Sequence, residues 1–204
     1  MQSQATKEKI LFTRGVPAME ALPTKLISEC LQDVLASSEG PTALQYGHYG
    51  GYLPLRRLLG EQYGVSPDQV LVGNGSLHLQ DMLSAMLIKP GDVVFTEQPS
   101  YDRAIKTFRR RGAKVVGIPL EHDGIDLQAL EQALSRQVPA FMYIVPDFQN
   151  PAGVTTSSAK RQALVDLAER HKFWLVEDIP YRPLRYAGKN EPMLRELKPE
   201  RVIT

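Results

Sequence analysis

Apolar positions along the chain switch between two rhythms. From about Ala21 to Ala36, Leu22, Leu26, Ile27, Cys30, Val34 and Leu35 recur at the spacing that places them on one face of a helix. A glycine-rich passage, Tyr46-Gly47-His48-Tyr49-Gly50-Gly51, follows, and then a short helical pattern from Leu55 to Tyr63. Beyond it, short apolar runs predict strands at Gln69–Val72, Val93–Thr96, Lys114–Ile118, Ala140–Val145 and Phe173–Glu177. Helical segments lie between most of them: Leu77–Leu87, Asp102–Arg111, Leu127–Leu134 and Ala159–His171, the last with Ser157 or Ser158 as its N-cap. Fully apolar strands alternating with amphipathic helices predict an α/β fold, a mostly parallel sheet with helices on both faces. In such sheets ligands bind beyond the carboxyl ends of the strands, which directs attention to the residues that follow each run.

The totals narrow the choices. The 204 residues suffice for one sizeable core and at most two small domains, and 43% hydrophobic with 23% charged residues is ordinary for a globular chain. With Lys+Arg 24 against Asp+Glu 23, the net charge of +1 offers no basic field, so no nucleic-acid partner is expected. Arg109-Arg110-Arg111 reads as the solvated end of a helix. The single cysteine, Cys30, allows no intrachain disulfide framework and is expected to be a packed core thiol. Four scattered histidines show no metal-ligand spacing, so no metal is assigned. Neither a signal-peptide pattern nor a membrane-length apolar run is evident, and a cytoplasmic protein without membrane partners is expected.

Four segments at strand ends carry candidate chemistry. Val72-Gly73-Asn74-Gly75-Ser76-Leu77 turns from a strand into a helix, where free N–H groups and the helix's positive end suit a phosphate. Glycines also make ordinary turns. Gly73-x-Gly75 with Glu97 22 residues later suggests a dinucleotide fingerprint as well, although His78 occupies the third glycine position. Tyr101, after Glu97-Gln98-Pro99-Ser100, offers a flat face for stacking or a partly buried aromatic at a helix start. In Asp147-Phe148-Gln149-Asn150-Pro151-Ala152-Gly153, Pro151 favours an extended Asn150 whose amide can donate, in what is equally a common turn. Finally Phe173–Glu177 delivers Asp178 to a strand end with Tyr181 three residues on. A carboxylate there needs a partner, and a protonated heterocyclic nitrogen would serve.

Together these segments resemble the class I/II aminotransferases of fold type I, close to the 2-aminoadipate-type enzymes and the aminotransferase-like half of MocR-type regulators. The pairing of Asn150-Pro-x-Gly with Asp178-x-x-Tyr181, 28 residues apart, is the most specific part. Leu11–Met19 resembles that family's substrate-side segment, and Gln45-Tyr46-Gly47 with Gly51–Arg56 its tyrosine-glycine stretch. The resemblance implies pyridoxal 5'-phosphate as cofactor, transamination between an amino acid and a 2-oxo acid, and a homodimer. It implies that Gly75, Ser76 and the Leu77 backbone hold the phosphate, that Tyr101 stacks on the ring, and that Asp178 pairs with the ring nitrogen. Asn150 and Tyr181 would bond the phenolic oxygen, Tyr46 would reach a neighbouring subunit's phosphate, and Gly15 and Asn150 would lie by the substrate. Leu77-His78 departs from the glutamine that many relatives carry there.

The Schiff-base lysine is expected beyond Thr204, because Lys189 and Lys198 lie outside any matching motif. The implied organisation is an N-terminal arm and small-domain segment over residues 1–45 and a truncated cofactor-binding large domain over 46–204. Such a truncated chain would be inactive alone. Two rivals remain: the effector domain of a MocR-type regulator, and a dinucleotide-dependent oxidoreductase.

Overall fold

The computed structural model describes residues 15–204; Leu11–Arg14 of the substrate-side segment lie outside the described residues. The chain separates into two compact units, one ending at Val72 and one running from Gly73 to Thr204.

The first unit contains α1 (Thr24–Ala36), α2 (Gly40–Leu44) and α3 (Leu53–Tyr63). The periodicity of α1 is as expected, yet none of its residues is buried: Leu26, Ile27, Leu31 and Val34 are exposed. Cys30 is therefore an exposed free thiol, which corrects its assignment to a core. Helical spacing identifies an apolar face but not what covers it. In α3, Pro54 stands in the first turn and Gly64 closes the helix in the left-handed conformation. Arg56 is buried beneath it, with Nε donating to the carbonyls of Pro67 and Val70 and Nη2 to Asp68 Oδ1.

The second unit is an α/β sandwich. Its elements are α4 (Ser76–Leu87), β1 (Val93–Gln98), α5 (Asp102–Arg110), β2 (Lys114–Glu121), β3 (Gly124–Ile125), α6 (Leu127–Arg136), β4 (Phe141–Ile144), α7 (Ser158–His171), β5 (Trp174–Glu177), α8 (Leu194–Leu197) and β6 (Val202–Ile203). The six-stranded sheet has the order β3-β2-β1-β4-β5-β6 and is parallel except for the β2–β3 pair. Alternating strand residues feed two cores. Val93 and Phe95 of β1, Met142 and Ile144 of β4 and Leu175 of β5 pack with Leu130 of α6 and Leu164 and Ala168 of α7. Val94, Phe141, Tyr143 and Val176 face the other way, against Ala104 and Phe108 of α5 and Leu83 of α4. Each central strand is covered on both sides, so its sequence is a continuous apolar run.

This order reverses direction at β1. From β1 the chain crosses by α5 to β2 on one side, whereas from β4 it crosses by α7 to β5 on the other. Right-handed crossovers in opposite directions set α5 and α7 on opposite faces, and a crevice opens between the carboxyl ends of β1 and β4.

Gln69–Val72, expected as a strand, is not one. Pro67–Gln69 makes a single 3-10 turn capped by Ser66, and Val70 is extended. The Val72 N–H bonds the Gly50 carbonyl, but no strand lies alongside to complete a ladder among the described residues. An apolar run encodes extension and burial; a strand also needs a partner row.

Candidate functional site

The four sequence-predicted segments of the second unit converge at the crevice. One cavity of about 140 Å³ is lined by Ser76, Tyr101, Tyr143, Val145, Asn150, Asp178, Pro180 and Tyr181. These residues come from the start of α4 and the exits of β1, β4 and β5.

Gly75 precedes α4 with φ +92°, a conformation that glycine adopts without penalty. It serves as N-cap without a side-chain hydrogen bond, so the first N–H groups of α4 keep their donor capacity and the helix end its partial positive charge. His78 folds back, its Nδ1 accepting from the Asn74 N–H at 3.3 Å. His78 therefore shapes the turn. Ser76 and Leu77 are exposed at its mouth.

Asp178 directly follows β5, its N–H bonded to the Ile144 carbonyl of β4. Both protein donors reach the same carboxylate oxygen: Gln80 Nε2 donates to Oδ2 at 2.9 Å and the Tyr143 hydroxyl at 2.7 Å. Oδ1 has no donor among the described residues. Burial raises the Asp178 pKa, and the Tyr143 and Gln80 hydrogen bonds oppose the shift without cancelling it. A cationic donor at Oδ1 would restore the full charge. Tyr143 stays protonated throughout ordinary pH, because burial and the neighbouring Asp178 charge push its pKa upward.

Across the cavity, Asn150 Nδ2 donates to the Tyr181 hydroxyl at 3.2 Å. The Asn150 turn is braced from within: Gln149 Oε1 accepts from the Ala152 N–H, and its Nε2 donates to Glu97 Oε2 at 3.0 Å and to the Pro99 carbonyl at 2.8 Å. Tyr101, partly buried, leads α5 from the β1 exit. The arrangement presents an acceptor on one wall, a donor pair on another, an aromatic face and a helix N-terminus.

Glu97 corrects the dinucleotide reading. It is 1% exposed, and its Oε2 receives the Val145 N–H and the Gln149 amide, so it cannot meet a ribose. Gln80 and Tyr143 are site residues to which the strand-end pattern does not point. Gln80 lies one turn past Ser76 on α4, and Tyr143 brings a hydroxyl into an apolar strand, which was the available signal. Tyr46 and Gly15 belong to the first unit, where both are exposed. Among the described residues no group of three or more His, Cys, Asp or Glu is arranged to hold a metal ion, and no helix is long and apolar enough to cross a membrane.

Comparison with known proteins bears on this geometry. The chain is 37% identical over 189 residues to a 2-aminoadipate transaminase of Thermus thermophilus, a match covering 93% of this chain and 47% of that protein. It is 30% identical over 205 residues to the probable rhizopine catabolism regulatory protein MocR of Rhizobium meliloti, covering 96% of this chain and 40% of the regulator. Among solved structures, LysN, an α-aminoadipate aminotransferase of Thermus thermophilus complexed with N-(5'-phosphopyridoxyl)-L-leucine, superposes with a TM-score of 0.88. That pair is 36% identical, and the match covers 94% of this chain and 50% of LysN. The chain thus spans about half the length of the relatives it matches. Residues 7–198 match the family described as aminotransferase class I and II, and this chain belongs to that family.

Proposed function

We propose that this chain supplies the cofactor-holding part of a pyridoxal-5'-phosphate-dependent aminotransferase, which moves an amino group between an amino acid and a 2-oxo acid. The observation that carries the reading is the half-used Asp178 carboxylate, with Oδ2 bonded by Tyr143 and Gln80 and Oδ1 without a donor among the described residues. A pyridinium N–H fits that free oxygen and would relieve the cost of the buried charge.

Each residue then has a defined task. Asp178 holds the proton on the ring nitrogen, and Tyr143 and Gln80 hold Asp178. The Ser76 hydroxyl and the N–H groups at the start of α4, around Gly75, Ser76 and Leu77, bind the phosphate. Tyr101 stacks on the ring, while Asn150 and Tyr181 bond its phenolic oxygen. Bound in this way, pyridoxal phosphate supplies an electron sink for a substrate carbanion. Gly15 and Asn150 are proposed to border the substrate and Tyr46 to reach the phosphate of a second subunit, in a cytoplasmic homodimer. The lysine that bonds the cofactor is proposed to lie beyond Thr204. The proposed functional division, with 1–45 as arm and small-domain segment and 46–204 as cofactor domain, differs from the compact units, which part between Val72 and Gly73. Family membership and the phosphopyridoxyl complex of LysN support this reading.

The similarity to MocR favours a second reading, an effector domain that binds the same cofactor for sensing. The cavity serves either role; turnover of an amino acid by the whole protein separates them.

The decisive experiment is titration with pyridoxal phosphate of this chain and its Asp178→Asn variant, with inorganic phosphate as a control ligand. Losing a charged hydrogen bond should weaken pyridoxal phosphate about tenfold or more and leave phosphate affinity unchanged. Equal pyridoxal phosphate affinity in both proteins would overturn the reading.

A further inference from the structure

Asp147 opens the Asn150 turn and is fully buried. Three guanidinium groups reach it. Arg161 of α7, itself 0% exposed, donates from Nη2 to Asp147 Oδ1 at 2.9 Å and to the Pro146 carbonyl, from Nε to the Thr156 carbonyl and from Nη1 to the Pro192 carbonyl. Those contacts close both ends of the turn. Arg182 Nη1 donates to Oδ2 at 3.2 Å, and Arg185 Nη2 lies 3.5 Å from Oδ1. The Arg185 guanidinium also sits 4.6 Å above the Phe148 ring, and Phe148 has φ +51°, a left-handed conformation uncommon for a bulky residue.

Arg161 alone neutralises Asp147. The further arginines add positive charge and the cost of partly desolvating it, each side chain being 16% exposed. What they gain is connection. Arg182 follows Tyr181 directly, and Asp147 stands three positions before Asn150, so the Arg182–Asp147 pair ties together the two segments that carry the Asn150–Tyr181 hydrogen bond.

We propose that Arg182 is a positioning residue: seated on Asp147, it fixes the Tyr181 hydroxyl against Asn150 Nδ2 and so sets the hydrogen bonding presented to the ligand's phenolic oxygen. The last clause rests on the cofactor reading above; the first does not. A residue that only stabilised the fold would move the denaturation midpoint and leave the geometry of the Asn150–Tyr181 pair intact.

The test compares Arg182→Met, which removes the link, with Arg182→Lys, which can still pair with Asp147. Arg182→Gln, which keeps a neutral donor, takes the place of the methionine variant if that does not fold. In the ligand-free chain, the side-chain amide resonances of Asn150 are followed by NMR. Arg182→Met should shift them and speed their exchange with solvent by about threefold or more, the scale of one weakened hydrogen bond, while Arg182→Lys stays near wild type. With pyridoxal phosphate added at fixed pH, the ratio of ionised to neutral phenol absorption bands should fall by about the same factor in Arg182→Met. Asn150 resonances unchanged in Arg182→Met but displaced in Tyr181→Phe would overturn the proposal. A shift of the amide together with an unchanged band ratio would uphold the positioning and refute its link to the phenolic oxygen, so the two failures are distinct.

Discussion

Replacing Glu97 by glutamine should make this protein less sensitive to alkali. Glu97 is 1% exposed at the end of β1, and burial pushes its pKa from 4.5 up to about 8, against the opposing hydrogen bonds from Gln149 and the Val145 N–H. Between those two values the folded protein keeps the proton that the unfolded chain releases. The native state therefore binds more protons, and stability falls as pH rises through this window. Its contribution is whole below about 4.5 and lost by about 8. At about 1.4 kcal/mol per pH unit the full loss is about 5 kcal/mol, of which about 3–4 falls between pH 5 and pH 8. Glutamine keeps an oxygen for both donors and cannot ionise. Urea unfolding of wild type and Glu97→Gln at several pH values between 5 and 8 isolates the effect, because Glu177 and Asp178, also raised by burial, act in both proteins. The variant should gain about 3–4 kcal/mol relative to wild type across that range. A constant difference would refute the argument, whatever its sign, because a lost or added hydrogen bond offsets the curve without tilting it.

Tyr143→Phe removes a 2.7 Å donor from Asp178 and should destabilise the protein by about 1–2 kcal/mol while raising the Asp178 pKa further; the carboxyl carbon shift of Asp178 through a pH titration checks it. Gly124 has φ +124°, and a Cβ there would stand 2.9 Å from Thr156 Cγ2, so Gly124→Ala should cost about 1–3 kcal/mol in denaturant unfolding. Hydrogen exchange should separate Leu71 from Leu175 by orders of magnitude. The Leu175 amide is buried and bonded to the Arg201 carbonyl, while the Leu71 amide has no acceptor among the described residues.

The sequence revealed structure most clearly where local pattern and burial agree. The runs that became β1, β4 and β5 are buried on both faces, and their helices carry stripes that match them, whereas β2 buries Ile118 alone. The two-residue strands β3 and β6 are too short to leave a pattern, and the five-residue α2 begins with Gly40-Pro41, a poor helix signal. Ser157 does begin α7 as its N-cap residue, but its hydroxyl bonds Asp123 instead of the helix. Arg111, read as part of a solvated helix end, pairs with Asp81 of α4. In the site, residues just after strands were found because the α/β layout sends ligands there. Gln80 and Tyr143 were not, because their contact with Asp178 exists only once α4, β4 and β5 are assembled.

That dependence on assembly has a kinetic consequence. Gln80 and Asp178 are 98 positions apart, and the cavity's remaining walls come from two further strand exits. Closing so many long loops before any contact rewards them is slow, as parallel sheets are. No short stretch of the chain contains enough of the cavity to hold a ligand in advance. A molecule that occupies it will slow unfolding of the second unit as a whole and leave the early steps of folding untouched, which makes bound ligand a reporter of the finished sheet.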